Sequence, residues 1–225
     1  MIVLAIDTAT PAVTAGVVRL AAAGPEVLAA RVTVDARAHG ELLTPHITAA
    51  LAQAELGLDQ VDAIVCGTGP GPFTGLRVGM VTAASLGDAL GVPVHGVCTL
   101  DAIAAEAPAT ESLLVVTDAR RREVYWAHYR HGRRTAGPDV VAPADLPDVQ
   151  ATSAAGQGAR IYADVIGLPV VEPAYPSPAG LVVAAQGLDS APPPFRPLYL
   201  RRPDAVEPGA PKKVSAHPQP PRPSA

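Results

Sequence analysis

Gly67-Thr68-Gly69-Pro70-Gly71-Pro72-Phe73-Thr74-Gly75-Leu76-Arg77-Val78-Gly79 joins an apolar, strand-like run (Val61-Asp62-Ala63-Ile64-Val65-Cys66) to a segment with helical periodicity. A glycine-rich turn that opens a helix lets the backbone approach another surface closely, and it points free N–H groups beyond the helix N-terminus. A phosphate cradle is the first reading of such a turn, and the spacing argues against it. There is no Gly-x-x-x-x-Gly-Lys-Ser/Thr pattern and no lysine before Lys212, and Pro70 and Pro72 lack N–H groups that a cradle uses.

Working outward, Ile2–Ile6 is apolar at every position and reads as a strand buried on both faces. The polar turn Asp7-Thr8-Ala9-Thr10-Pro11 leads to strand-like Ala12–Leu20, and Val27–Val34 supplies a third strand, so the three form an antiparallel meander. His39–Ala54 reads as a helix with Leu43, Ile47, Ala50, Leu51 and Ala54 on one stripe. Pro45 inside it implies either a start at Thr44 or a kink. Val61–Cys66 then reads as a strand, Phe73–Leu90 as a helix, Val92–Val97 as a strand and Thr99–Ala107 as a helix capped by its threonine. After Pro108 the pattern restarts: Leu113-Leu114-Val115-Val116-Thr117-Asp118 repeats the strand-then-aspartate logic of Val3–Asp7, and Glu123–Tyr129 alternates as a return strand. Two aspartates in equivalent places suggest a duplicated strand–turn–strand unit. Ser177–Leu188 is the clearest later helix, and Leu198-Tyr199-Leu200 is strand-like.

At 225 residues the chain suits two small domains that share an interface. Hydrophobic residues make up 48% and aromatics only 4%, so the core is filled by Ala, Val and Leu, as tightly packed α/β layers require. The expected divisions are a first lobe over 1–107, a smaller second lobe over 108–202 whose C-terminal end has the option of returning to the first, and a flexible proline-rich tail over 203–225. A formal charge of −4 offers no electrostatic reason to bind nucleic acid unaided. Cys66 and Cys98 form no CxxC or His-rich motif and read as inert buried thiols in a reducing compartment. The N-terminus has no basic n-region, and no apolar run is long enough to span a membrane, so a soluble cytoplasmic protein is expected.

Four segments together closely resemble the TsaB (YeaZ) family. They are Ile6-Asp7-Thr8-Ala9, His39-Gly40-Glu41-Leu42-Leu43, the run Gly69–Gly79, and Asp118-Ala119-Arg120-Arg121-Arg122-Glu123-Val124-Tyr125. Pro197-Leu198-Tyr199-Leu200-Arg201 resembles the family's C-terminal signature. The resemblance implies an α/β fold of two ribonuclease-H-like (actin/sugar-kinase-like) lobes, the second degenerate. It also implies a non-catalytic dimerisation subunit that holds the catalytic paralogue TsaD, with the ATPase TsaE. That complex modifies the adenosine next to the anticodon of tRNAs reading codons that begin with A, so tRNA is met indirectly, through the complex. A homodimer in isolation is left open. In the wider architecture Asp-x-Gly-Thr turns hold a nucleotide between the halves. Here Asp7, Thr8, Asp118 and Arg120 stand in turns without that glycine, a pair of degenerate phosphate turns in which Asp7 and Asp118 read as turn caps ahead of a leftover metal pair, and Arg120 as a solvated turn arginine ahead of an anion contact. The paralogue's His-x-x-x-His metal pair falls at Thr99 and Ile103, and isoleucine cannot ligate a metal. No catalytic, cofactor or metal residues are therefore assigned. The alternative is a glycoprotease-like or sugar-kinase-like ATP-dependent enzyme, against which stand the missing glycines, the missing histidines and the lack of a serine with a persuasive histidine partner among Ser85, Ser112 and Ser153.

The partner surface is expected on the helices that begin near His39 and Phe73, as one half of a four-helix bundle. Its residues would be His39, Leu42, Leu43, Ile47, Phe73, Thr74, Gly75, Leu76, Arg77, Gly79, Met80 and Ala83. Gly75, Gly79, Ala83 and Gly87 recur every four residues, and interior helical glycine costs about 1 kcal/mol against alanine, so the stripe needs a close neighbour. Either a partner helix or the chain's own sheet supplies it, and in the second case Leu76, Met80 and Leu90 are left to form the interface. His39 reads equally as an interface hydrogen bond or a helix-end cap.

Overall fold

Strand β1 (Ile2–Asp7) lies at the centre of a five-stranded sheet because both of its faces are apolar. Leu4 and Ile6 enter one core, Val3 and Ala5 another. β2 (Ala12–Ala21) and β3 (Gly24–Val34) return antiparallel on one side. β4 (Ala63–Gly67) and β5 (Val94–Val97) add in parallel on the other, giving the order β3-β2-β1-β4-β5. The computed structural model describes residues 1–185 and 187–201, so the expected tail over 203–225 lies outside the described residues.

Helices α1 (His39–Gln53) and α2 (Phe73–Leu90) cover the Leu4/Ile6 face. Leu43, Ile64 and Leu76 are fully buried there, and each such side chain contributes about 1.5–3 kcal/mol by leaving water. Gly91 ends α2 in the left-handed conformation at φ 68°, where a Cβ would be strained. Helix α3 (Thr99–Glu106) and helix α6 (Pro178–Ala184) cover the opposite face, with Ala102, Leu181 and Val182 on Val3, Ala5 and Val65.

The second sheet repeats the plan. β6 (Ser112–Asp118) is central, β7 (Val124–Arg130) and β8 (Arg133–Val141) form the antiparallel meander, and the short β9 (Ser153–Ala155) lies parallel to β6, in the order β8-β7-β6-β9. One face packs on Leu100 and Ile103 of α3, which is thus shared between the sheets. The other packs on α4 (Gln157–Ile161) and α5 (Ala163–Ile166). Asp7 ends β1 and Asp118 ends β6, so the two aspartates occupy matching positions.

Several local expectations are corrected. Pro45 lies inside an unbroken α1, and the helix starts at His39 rather than at Thr44. Thr99 does not cap α3: Cys98 precedes the helix, and the Thr99 hydroxyl is spent elsewhere. The helix predicted over Ser177–Leu188 stops at Ala184, and Ser177 caps it by accepting from the Gly180 N–H at 3.0 Å. Leu198–Leu200 forms no strand, although the Leu198 N–H donates to the Thr68 carbonyl at 2.8 Å. No helix among the described residues is long and apolar enough to cross a membrane.

Candidate functional site

The residues that resemble a ligand-binding turn are used up by the chain itself. Asp7 is fully buried, and both of its carboxylate oxygens have internal donors: Ala9 N–H at 2.8 Å and the Thr99 hydroxyl at 2.7 Å. Burial lifts its pKa from 3.8 to about 6, opposed chiefly by the Thr99 hydrogen bond and then by the Ala9 amide. The adjacent Cys66 thiol is pushed well above its usual range by burial and by Asp7. Gly71 runs so close to Ala9 that a Cβ there would overlap the Ala9 backbone. The glycines of the opening loop therefore serve close approach to the chain's own first turn.

Thr8 explains the glycine stripe of α2. Its hydroxyl donates to the Gly75 carbonyl at 2.7 Å and accepts from the Gly79 N–H at 2.9 Å, inserting into the helical ladder where those two groups would otherwise bond each other. A Cβ on Gly79 would sit 2.5 Å from the Thr8 oxygen, and one on Gly75 would sit 2.7 Å from the Thr8 carbonyl oxygen. Farther along, Val94 fills the notch at Gly87. The four-residue spacing signalled a close neighbour; that the neighbour is the turn after β1 could not be read from spacing alone.

The expected partner residues divide into two groups. His39, Leu43, Ile47, Gly75, Leu76, Gly79, Met80 and Ala83 are buried against the chain's own sheet. Leu76 and Met80 enter the same core as the glycine stripe, while His39 and Gly75 also line a cleft. His39 does not cap α1: its Nε2 lies 2.8 Å from the Thr10 carbonyl oxygen, tying the start of α1 to the first turn. Leu42 and Phe73 are half-buried, and Thr74 and Arg77 are exposed. The outer face of α2 also carries Val81, 63% exposed, flanked by the half-buried Val78 and Leu86.

Between the two sheets lies a cleft of about 600 Å³ whose walls include Thr8, Arg37, Phe73, Asp118, Arg120, Tyr125 and Arg201. The segment after α6 straps across it. Phe195 joins the first core, Leu198 and Leu200 pack in the second-sheet core, and Tyr199 meets the Phe73 ring edge-on at 4.7 Å between centroids. The Arg77 guanidinium lies over both rings, and its Nε donates to the Tyr199 hydroxyl at 3.0 Å. Arg201 then donates to the Ala119 carbonyl at 3.2 Å and pairs with Glu123, bracing the β6–β7 turn. Asp118 in that turn accepts from Tyr162 at 3.3 Å, and Arg120 is exposed. Nothing in the sequence pattern pointed to Tyr199 and Arg201 as the link between Phe73 and this turn.

Two further expectations resolve at the atomic level. Ile103, at the second metal position of the paralogue, is fully buried in apolar packing, and Thr99 at the first holds Asp7. Ser112 does have a histidine partner, which corrects the sequence expectation: its hydroxyl lies 2.8 Å from Nε2 of His128, whose Nδ1 lies 2.8 Å from the Thr135 hydroxyl. The arrangement is structural. Ser112 and His128 are buried, and a neutral threonine cannot stabilise an imidazolium as a carboxylate does.

Two mixed sheets built on one plan, with both aspartate turns bordering one cleft, define an α/β protein of two similar sheets. A family model described as TsaD, tRNA N6-adenosine threonylcarbamoyltransferase, matches residues 26–185, and the chain belongs to that family, within which it groups with the TsaB (YeaZ) proteins. An uncharacterized protein of Mycobacterium leprae is 58% identical over 204 residues, covering 91% of this chain and 56% of that protein. The tRNA threonylcarbamoyladenosine biosynthesis protein TsaB of Escherichia coli is 32% identical over 154 residues, covering 63% of this chain and 64% of that protein. The chain thus spans less than two thirds of the length of both. The solved structure of YeaZ from Pseudomonas aeruginosa is similar with a TM-score of 0.72 at 26% identity, covering 88% of this chain and 99% of that one.

Proposed function

We propose that this chain is a non-catalytic subunit of tRNA threonylcarbamoyladenosine biosynthesis, working in the cytoplasm beside the catalytic paralogue TsaD and the ATPase TsaE. The observation that carries the reading is the sealed first turn: Asp7 spends both carboxylate oxygens on Ala9 and Thr99, and Thr8 spends its hydroxyl on α2. In that state the Asp7 carboxylate and the Thr8 hydroxyl are committed to internal partners. The name of the Escherichia coli relative supports the pathway. In this reading the lobes are ribonuclease-H-like, the first over 1–107 and the second over 108–202.

The paralogue docks on the outer faces of α1 and α2, through Leu42, Thr74, Val78 and Val81, in a four-helix arrangement. Val81 carries the largest exposed apolar side chain on α2, and a helix with one face sealed in the core and apolar groups on the other invites a second cover. Reconstituted transfer to tRNA tests the first half of the proposal. The chain alone should show no transfer and should stimulate the paralogue; transfer by the isolated chain would overturn the non-catalytic assignment. Calorimetric titration of the paralogue with Val81→Asp tests the second half. The variant should bind about tenfold more weakly, with unchanged melting, because an unpaired carboxylate is costly to bury. Unchanged binding by Val81→Asp and Thr74→Asp together would move the interface elsewhere.

A further inference from the structure

The two matching turns differ in a way the duplicated plan does not require. The first, after β1, is sealed. The second, after β6, stays open and carries Arg120, Arg121 and Arg122 in succession, all exposed and all with positive φ, at 61°, 55° and 61°. Residues with a Cβ adopt that conformation at a cost that glycine escapes, so the turn accepts strain to display guanidinium groups. The strain is held from both sides. Ala119 N–H donates to the Glu123 carbonyl at 2.9 Å, Glu123 N–H to the Arg120 carbonyl at 3.0 Å, and Arg201 clamps the base of the turn. Pairing with Arg201 also occupies Glu123, and Asp118 is engaged by Tyr162, so neither nearby carboxylate is given over to Arg120 or Arg122. Arg120 lines the cleft, Arg122 two residues on is exposed and does not line it, and Arg37 lines the cleft from the segment before α1.

The geometry points to a phosphodiester-backbone site for folded RNA, formed by Arg120 and Arg122 with Arg37 opposite. The inference rests on the reading that the chain works in tRNA modification, and it assigns direct RNA contact to a chain whose overall charge gives no hint of it. A continuous polyanion crossing the turn can meet Arg120 and Arg122 in sequence. Arg121 already has an interaction of its own and is not needed for the site.

Fluorescence anisotropy of labelled tRNA with the full chain, at low and then rising salt, tests this. The double variant Arg120→Gly/Arg122→Gly places glycine where φ is already positive, so it should fold at least as well as the parent. It should bind tRNA about tenfold more weakly, with the slope of log K against log salt reduced by roughly two, one for each phosphate no longer neutralised. Arg37→Gln should weaken binding in the same direction, and Arg19→Gln, on β2 and not lining the cleft, should not. Absence of tRNA binding by the parent, or equal binding by the double variant, overturns the proposal. ATP or poly-glutamate binding that depends equally on the two arginines overturns it in favour of a small nucleotide or an acidic protein. These titrations contain no paralogue, so failure of the proposed subunit role would show in the calorimetry and not here.

Discussion

Asp7→Asn should make the protein more stable at neutral pH, although it alters a fully buried group in the most distinctive turn of the chain. Asp7 has its pKa raised from 3.8 to about 6, with burial the largest cause. Below the unfolded value both states carry the neutral acid and burial costs little. As pH rises from about 4 through 6 the unfolded chain ionises first, unfolding releases a proton, and stability falls. Each pKa unit is worth about 1.4 kcal/mol, so the ionised carboxylate costs the folded state roughly 3 kcal/mol at neutral pH. Asparagine resembles the neutral acid: its carbonyl accepts from Ala9, and its amide can donate to the Thr99 hydroxyl, which can accept as well as donate. Urea unfolding of parent and variant at about pH 4 and about pH 7 isolates this one group, because every other titrating group cancels in the difference. The variant should match the parent at the lower pH and exceed it by about 2–3 kcal/mol at the higher, or roughly 4–12 °C in melting temperature for a chain of this size. A difference that does not change with pH, or an asparagine variant that is the less stable at neutral pH, would refute the account of Asp7 as an internally satisfied but desolvated carboxylate.

Gly79→Val should destabilise the isolated chain by about 1–3 kcal/mol in urea unfolding, because a Cβ there meets the Thr8 hydroxyl at 2.5 Å inside the chain's own core. Gly71→Ala should cost about 3 kcal/mol or prevent folding, since the neighbour it meets is Ala9 backbone, which cannot rotate away; soluble yield and circular dichroism report this. Tyr199→Ala should lower stability by about 1–2 kcal/mol by removing the ring that Phe73 and Arg77 pack on, and hydrogen exchange should rise over residues 195–201. Ser112→Ala should cost about 1–3 kcal/mol by leaving Nε2 of the buried His128 without a partner, and it should leave stimulation of the paralogue unchanged.

The meander, α1, α2 and the matched aspartates were legible in the sequence because each is a local signal. Uninterrupted apolar runs mark buried strands, a 3.6-residue stripe marks α1, and a strand ending in aspartate recurs. What was not legible is what packs against what. The stripe of Gly75, Gly79 and Gly87 announced a close neighbour; Thr8 meets the first two, at sequence separations of 67 and 71 residues, and Val94 meets the third. No periodicity encodes that pairing. β8 was invisible for another reason: it is an edge strand whose residues are mostly exposed, with Gly137 and Pro138 within it, so its apolar alternation is weak. β9, α4 and α5 are three to five residues long, below the length at which a period can be counted. The Thr99 cap failed because a tertiary acceptor, the Asp7 carboxylate, outcompeted the local amides of α3 for the same hydroxyl.

The seal on the first turn and the strap over the cleft together tie the two candidate surfaces to each other. Thr8 anchors α2 from inside, at Gly75 and Gly79, so the first turns of that helix cannot shift without breaking two buried hydrogen bonds. On the outside the same turns hold Tyr199 through Phe73 and Arg77. Just beyond it, Arg201 holds the arginine-bearing turn through Ala119 and Glu123. A partner pressing on the outer face of α2 therefore meets a helix that is rigid inward and linked outward to the β6–β7 turn by the strap over 195–201. Whatever displaces Phe73 or Arg77 must also move Tyr199, and through Arg201 the clamp that holds Arg120 and Arg122 in their strained conformation.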